Sequence, residues 1–196
     1  MGVNKPQLSE RFSDALEMAT RLHASQTRKG SGTPYIAHLL SVAALVMEAG
    51  GDEDQAIAAL LHDAVEDQGG LQTLGLIREK FGSRVADIVM GCTDAVTKPK
   101  PPWRARKEAY LTHLAEAAPE VRLVSLADKV HNARSNLRDL QQDGVAVFNK
   151  FNGGIEGTLW YYTALQKEFQ KDEPGYLVNE LSRVVQEIKR LAQTAP

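Results

Sequence analysis

Cysteine is nearly absent from the 196 residues. Only Cys92 occurs, so no intrachain disulfide can form and a multi-cysteine zinc site is excluded. A reducing cytosol is the compartment that fits this usage. No apolar run approaches the roughly 20 residues needed to span a bilayer. The opening stretch, Met1 to Ser9, is polar and lacks the apolar core of a secretion signal. Charge of one sign is also missing: 23 Lys+Arg against 25 Asp+Glu leave a net −2. That balance excludes a general nucleic-acid coat or a polybasic membrane binder. Strand signals are weak, and no repeat of 20–50 residues suggests a solenoid.

What is present is helix periodicity on a chain that is 43% hydrophobic, enough for one sizeable core. Phe12, Leu16, Ala19 and the Leu22–His23 step lie on one helical stripe behind Ser9, a good N-cap. A loop from 24 to 34 follows, with two glycines, Pro34 and the cations Arg28 and Lys29. The pattern then predicts helices over 36–48, from about 52 to Gln68, over 71–81 and over 83–92. After the proline-rich stretch at 98–102 it predicts helices at 103–117, 120–140, 155–169 and 176–191. The expected fold class is all-α, a single helical bundle of one domain over 1–196. Its motif-bearing core covers about 10–140, with C-terminal helices over 141–193.

The informative segment is Leu60-Leu61-His62-Asp63-Ala64-Val65-Glu66-Asp67. It starts as a buried helix and ends in closely spaced ionisable groups. Burying them costs several kcal/mol unless they are paired or bind a metal. On a continuous helix, His62 and Glu66 share a face, as do Asp63 and Asp67. His38, in Tyr35-Ile36-Ala37-His38-Leu39-Leu40, and Asp128, in Leu126-Ala127-Asp128-Lys129-Val130-His131-Asn132, are further polar groups in apolar surroundings. Two imidazoles and two carboxylates suit manganese, iron or zinc better than calcium. His23, on the apolar stripe, reads as a core or supporting histidine, and Trp160-Tyr161-Tyr162 reads as core or interface.

A histidine, a His-Asp pair and a distant aspartate, in that order, resemble the HD-domain metal-dependent phosphohydrolases. Gln26-Thr27-Arg28-Lys29, Pro34 to His38, Leu60 to Asp67 and Leu126 to Asn132 together resemble the hydrolase domain of RelA/SpoT homologues. The resemblance implies removal of the 3′-pyrophosphate from guanosine tetra- or pentaphosphate, with Mn2+ as cofactor. It implies His38, His62, Asp63 and Asp128 as metal ligands and Glu66 and Asp67 as the acidic pair beside the reacting phosphate. Arg28 and Lys29 correspond to the basic loop at the nucleotide, and Asn132 and Ser135 to polar positions near the nucleoside. The remaining residues have no room for a synthetase domain, so a stand-alone, cytoplasmic small alarmone hydrolase is expected. Its partner is a small nucleotide, not nucleic acid or membrane.

One departure stands out. The family usually carries Thr-Lys where this chain has Thr93-Asp94, an anion in place of a cation. Lys98–Lys107, with five basic residues and no acidic one, reads as either a solvated loop or a compensating phosphate contact. Two rival readings follow from the same motifs. One is an HD phosphohydrolase acting on a deoxynucleotide or on the 2′-phosphate of NADPH. The other is a silent nucleotide-binding regulatory module.

Overall fold

The structure is a computed structural model and describes residues 8–95, 99–172 and 174–193. All regular structure among them is helical. The one β-type contact is an isolated bridge between Thr27 and Pro34. The helices are α1 Glu10–Leu22, α2 Ile36–Glu48, α3 Glu53–Leu61, α4 Ala64–Asp67, α5 Leu71–Phe81, α6 Ser83–Cys92, α7 Trp103–Glu116, α8 Pro119–Asp143, α9 Gly154–Phe169 and α10 Tyr176–Gln193. A 3-10 segment, Gly144–Lys150, joins α8 to α9 and was not anticipated from the sequence. No helix of the described residues is long and apolar enough to cross a membrane.

The chain divides into two compact units. The first comprises Met1–Val96 and Ala118–Ala127. Its centre is α3, whose six consecutive residues Ala56 to Leu61 are all fully buried. A helix apolar on every side must be surrounded, and α1, α2 and α6 pack against it. Local rules fix its start. Asp52 caps it in a reciprocal capping box, accepting from the Gln55 N–H at 3.0 Å while its own N–H donates to Gln55 Oε1 at 2.8 Å. Gly51 follows α2 because a Cβ there would lie 2.5 Å from a Val46 methyl and 2.9 Å from the Val46 carbonyl oxygen.

The second unit comprises Thr97–Ala117 and Asp128–Pro196. Gly153 and Gly157 let the Trp103 ring lie against α9, since a Cβ at either would meet that ring at 2.7 or 3.1 Å. Tyr161 and Tyr162 are buried, as the core reading of this aromatic run required. Three cations of the 98–107 stretch have local partners. Arg104 sits 3.2 Å over the Trp160 ring, Lys107 lies 5.1 Å over Tyr161, and Arg106 donates to the Pro101 carbonyl. Lys98 lies outside the described residues.

Glu180 on α10 accepts from Arg183 at 2.8 Å and from Arg134 of α8 at 2.9 Å. The Arg183 hydrogen bonds come first in lowering its carboxyl to about 2, burial opposes them, and Arg134 adds to the lowering. A folded-state value below the unfolded one gives stability that is full above the ordinary carboxylate range and lost as pH falls from there toward about 2. Glu180→Gln is therefore expected to lower the melting temperature at pH 7 and to flatten its decline between about pH 4.5 and pH 2. Differential scanning calorimetry across that range reads the slope directly.

Candidate metal centre

The site begins where α3 ends. The sequence predicts one helix from about 52 to Gln68, but helical hydrogen bonding lapses at His62 and Asp63 and resumes for the single turn of α4. The side chain of His62 explains the break. Its Nδ1 lies 2.8 Å from the Ala59 carbonyl, one of the last four carbonyls of α3 that have no helical partner. A carbonyl only accepts, so Nδ1 carries the proton and Nε2 is the nitrogen left for other work. The break also sets the geometry of the adjacent pair. Instead of splaying along a helix, His62 Nε2 and Asp63 Oδ2 come within 3.0 Å.

Asp63 Oδ2 is the meeting point of three groups. Besides His62, it lies 3.5 Å from His38 Nε2 and accepts from the Tyr35 hydroxyl at 2.7 Å. His38 occupies the first turn of α2, 1% exposed, and its ring stands edge-on to those of Tyr35 and His62. Burial works against the Asp63 carboxylate. When both imidazoles also carry a proton on Nε2, the His62 charge and hydrogen bonds from both histidines nevertheless hold it well below the usual range. Tyr35 moves the other way: burial, then the Asp63 charge, pushes its phenol far up, so it stays a donor.

His38 and His62 are buried, and with Asp63 they bring two imidazole nitrogens and a carboxylate oxygen together in the first unit. This is the mixed donor set that transition-metal ions favour. Asp128, buried in the second unit, is a further carboxylate in apolar surroundings. The fit is also electrostatic. An imidazole lone pair facing a carboxylate oxygen at 3.0 Å repels it, and a shared proton or a cation relieves that repulsion.

Asp128 is held on both sides within α8. Lys129 Nζ donates to Oδ2 at 2.6 Å, and Asn132 Nδ2 donates to Oδ1 at 2.5 Å. Burial opposes the Lys129 charge, but Asp128 beside it raises the ammonium well above its ordinary range. Asn132, one turn after Asp128, was expected near the nucleoside and touches the carboxylate. The Ser135 hydroxyl donates to the His131 carbonyl of its own helix at 3.0 Å.

Glu66 and Asp67 leave the first unit's core on α4. Glu66 is half-buried and accepts from the Asp94 backbone N–H at 3.2 Å; Asp67 is exposed and accepts from Gln26 Nε2 at 2.8 Å. The contact with Glu66 uses the backbone of residue 94, so the Thr93-Asp94 departure leaves it intact. Arg28 stands 5.5 Å from the Tyr35 ring, and Lys29 is exposed. Their loop is closed by the Arg28 N–H to Thr33 carbonyl bond at 2.8 Å, and it turns through Gly30 and Gly32 at φ 95° and 67°. The motifs contain Tyr35, Gln26 and Lys129, but the sequence reading gave them no individual role. Tyr35 could have been found from its spacing, one helical turn before His38.

A family model described as the HD domain matches residues 15–158. The chain belongs to the HD-domain family. This HD-domain protein is 39% identical over 145 residues to the human guanosine-3′,5′-bis(diphosphate) 3′-pyrophosphohydrolase MESH1. The match covers 72% of the chain and 74% of the human protein. It is 41% identical over 123 residues to a probable GTP pyrophosphokinase of Mycobacterium leprae, covering 62% of the chain. The chain spans only 15% of the length of that relative. Among solved structures, it resembles a metazoan ortholog of SpoT that hydrolyses ppGpp. The TM-score is 0.76 at 26% identity, covering 95% of this chain and 98% of the other. Membership in the HD family, with two buried histidines beside Asp63, points to divalent-metal binding by the HD-domain protein.

Proposed function

We propose that this HD-domain protein is a manganese-dependent guanosine 3′,5′-bis(diphosphate) 3′-pyrophosphohydrolase. It converts the tetraphosphate to GDP, or the pentaphosphate to GTP, with release of pyrophosphate. The observation that carries the reading is the 39% identity to human MESH1, named for this reaction, along 74% of its length. His38, His62, Asp63 and Asp128 hold the metal in this proposal. When bound, such an ion polarises a phosphoryl oxygen and makes water a better nucleophile near neutral pH.

The residues around it have distinct tasks in the same reading. Glu66, oriented by the Asp94 N–H, takes a proton from the attacking water. The water oxygen bonds to the phosphorus attached at the 3′ oxygen, the bond between that phosphorus and the 3′ oxygen breaks, and the 3′ oxygen gains a proton. Asp67 helps align the water or the leaving group. Arg28 and Lys29 neutralise phosphate oxygens from a glycine-bearing loop that lets the nucleotide approach closely. Asn132 and Ser135 face the nucleoside, and Asn132 also steadies Asp128.

Anion-exchange analysis of guanosine tetraphosphate incubated with manganese-loaded protein tests the proposal. GDP and pyrophosphate are the expected products. Orthophosphate release, or an unchanged nucleotide, would overturn it. Parallel loading with magnesium, zinc and iron tests the choice of metal.

A further inference from the structure

We infer that Gln26 is a positioning residue for Asp67 and that His23 fixes Gln26 in that task. The inference rests on the proposed part of Asp67 in phosphohydrolysis, but the contacts behind it are independent of that reading. Gln26 Nε2 donates to Asp67 Oδ2 at 2.8 Å. The other end of the same amide lies 2.6 Å from His23 Nδ1 and accepts from Gln68 Nε2 at 2.6 Å. Only one amide orientation satisfies all three. Reversed, the amide would set its NH2 against the Gln68 NH2 and its oxygen against a carboxylate. With Gln26 Oε1 the acceptor, His23 Nδ1 carries the proton.

The histidine is an expensive choice at its position. It is 2% exposed and stacks on Tyr35, ring centroids 5.2 Å apart at 13°. Its Nε2 is buried without a hydrogen bond among the described residues. Leaving such a group unsatisfied is destabilising. A phenyl ring would stack on Tyr35 without that penalty, so what the imidazole adds is the Nδ1–H aimed at Gln26. The backbone reinforces the arrangement: the Gln26 N–H donates to the His23 carbonyl at 3.0 Å and the Tyr35 N–H to the Gln26 carbonyl at 2.9 Å. His23 thereby backs two lines into the site. One runs through Gln26 to Asp67, and the other through Tyr35 to Asp63 at 2.7 Å.

A merely structural glutamine and a positioning one differ in measurable ways. Gln26→Met keeps the length of the side chain and removes its hydrogen bonds. It is expected to lower kcat about 10- to 100-fold, the usual loss when a supporting partner of a site residue is removed, with KM changed less than about 3-fold. His23→Phe keeps the stacking and removes the donor. It is expected to melt no lower than the unmodified protein and still to lose kcat several-fold. In an Asp67→Asn background, Gln26→Met is expected to cost less than about 2-fold more, because both changes act through one carboxylate. Full kcat in Gln26→Met, or its full loss repeated in the Asp67→Asn background, overturns the inference.

A protein with no turnover of guanosine tetraphosphate defeats the proposed function instead. The positioning contact is then read without substrate, from the carboxyl 13C resonance of Asp67. That resonance is expected to move in both Gln26→Met and His23→Phe. If it stays in place in both, the inference is overturned whatever the substrate.

Discussion

Replacing His62 by alanine is expected to remove bound metal and hydrolytic activity together. The loss of kcat should be about 1000-fold or more, since several kcal/mol of transition-state stabilisation pass through the ion and each 1.36 kcal/mol is a factor of ten. The substitution deletes Nε2, one of two imidazole nitrogens turned toward Asp63, from a residue that is 3% exposed. It also frees the Ala59 carbonyl from its 2.8 Å partner and strips Asp63 of the imidazole at 3.0 Å. A half-buried carboxylate that loses one of its three partners is less well compensated, so some stability should go as well. Asp63→Asn separates the two effects. It preserves shape and leaves an oxygen for the Tyr35 hydroxyl, yet removes the negative charge that a divalent ion requires. Metal content by elemental analysis and turnover should fall in parallel in both variants, while thermal stability falls further in His62→Ala. Retained metal with retained turnover in either variant would refute the ligand assignment.

The helices were legible where backbone chemistry punctuates the chain. Gly50-Gly51 closes α2, Gly82 divides α5 from α6, and Pro102 precedes α7, so their limits follow from residue type alone. The lapse at His62–Asp63 carries no such mark. Apolar spacing continues through Val65, and the His62 ring takes the Ala59 carbonyl where the helix lapses. The sequence singles out His38, His62, Asp63 and Asp128 because ionisable groups in apolar surroundings are scarce enough to be noticed. Gln26, Tyr35 and the Asp94 backbone escaped because their partners lie 41, 28 and 28 positions away in the chain. An ordinary glutamine or a backbone N–H has no residue-type signature. Its value depends on a non-local contact that periodicity does not encode.

Glu66→Gln should give the opposite dissociation from His62→Ala: metal retained, kcat down about 100- to 10,000-fold, the range typical of losing a general base. The reasoning starts from what the amide preserves. Glutamine keeps the length of the side chain and an oxygen that can still accept the Asp94 N–H, now at 3.2 Å. Position and packing are therefore maintained, and Glu66 is not one of the four residues proposed to hold the metal. What disappears is a group able to take a proton. If Glu66 only orients water through a hydrogen bond, the amide would substitute with a small loss. If it accepts the proton, the loss is large and KM for the nucleotide barely moves, because ground-state contacts are unchanged. Charge adds a second discriminator. Glu66→Asp keeps the base but withdraws it by one methylene, so it should recover part of the rate that glutamine loses. Equal rates for the glutamine variant and the unmodified protein would remove Glu66 from the proton-transfer step and leave Asp67 as the remaining carboxylate for it.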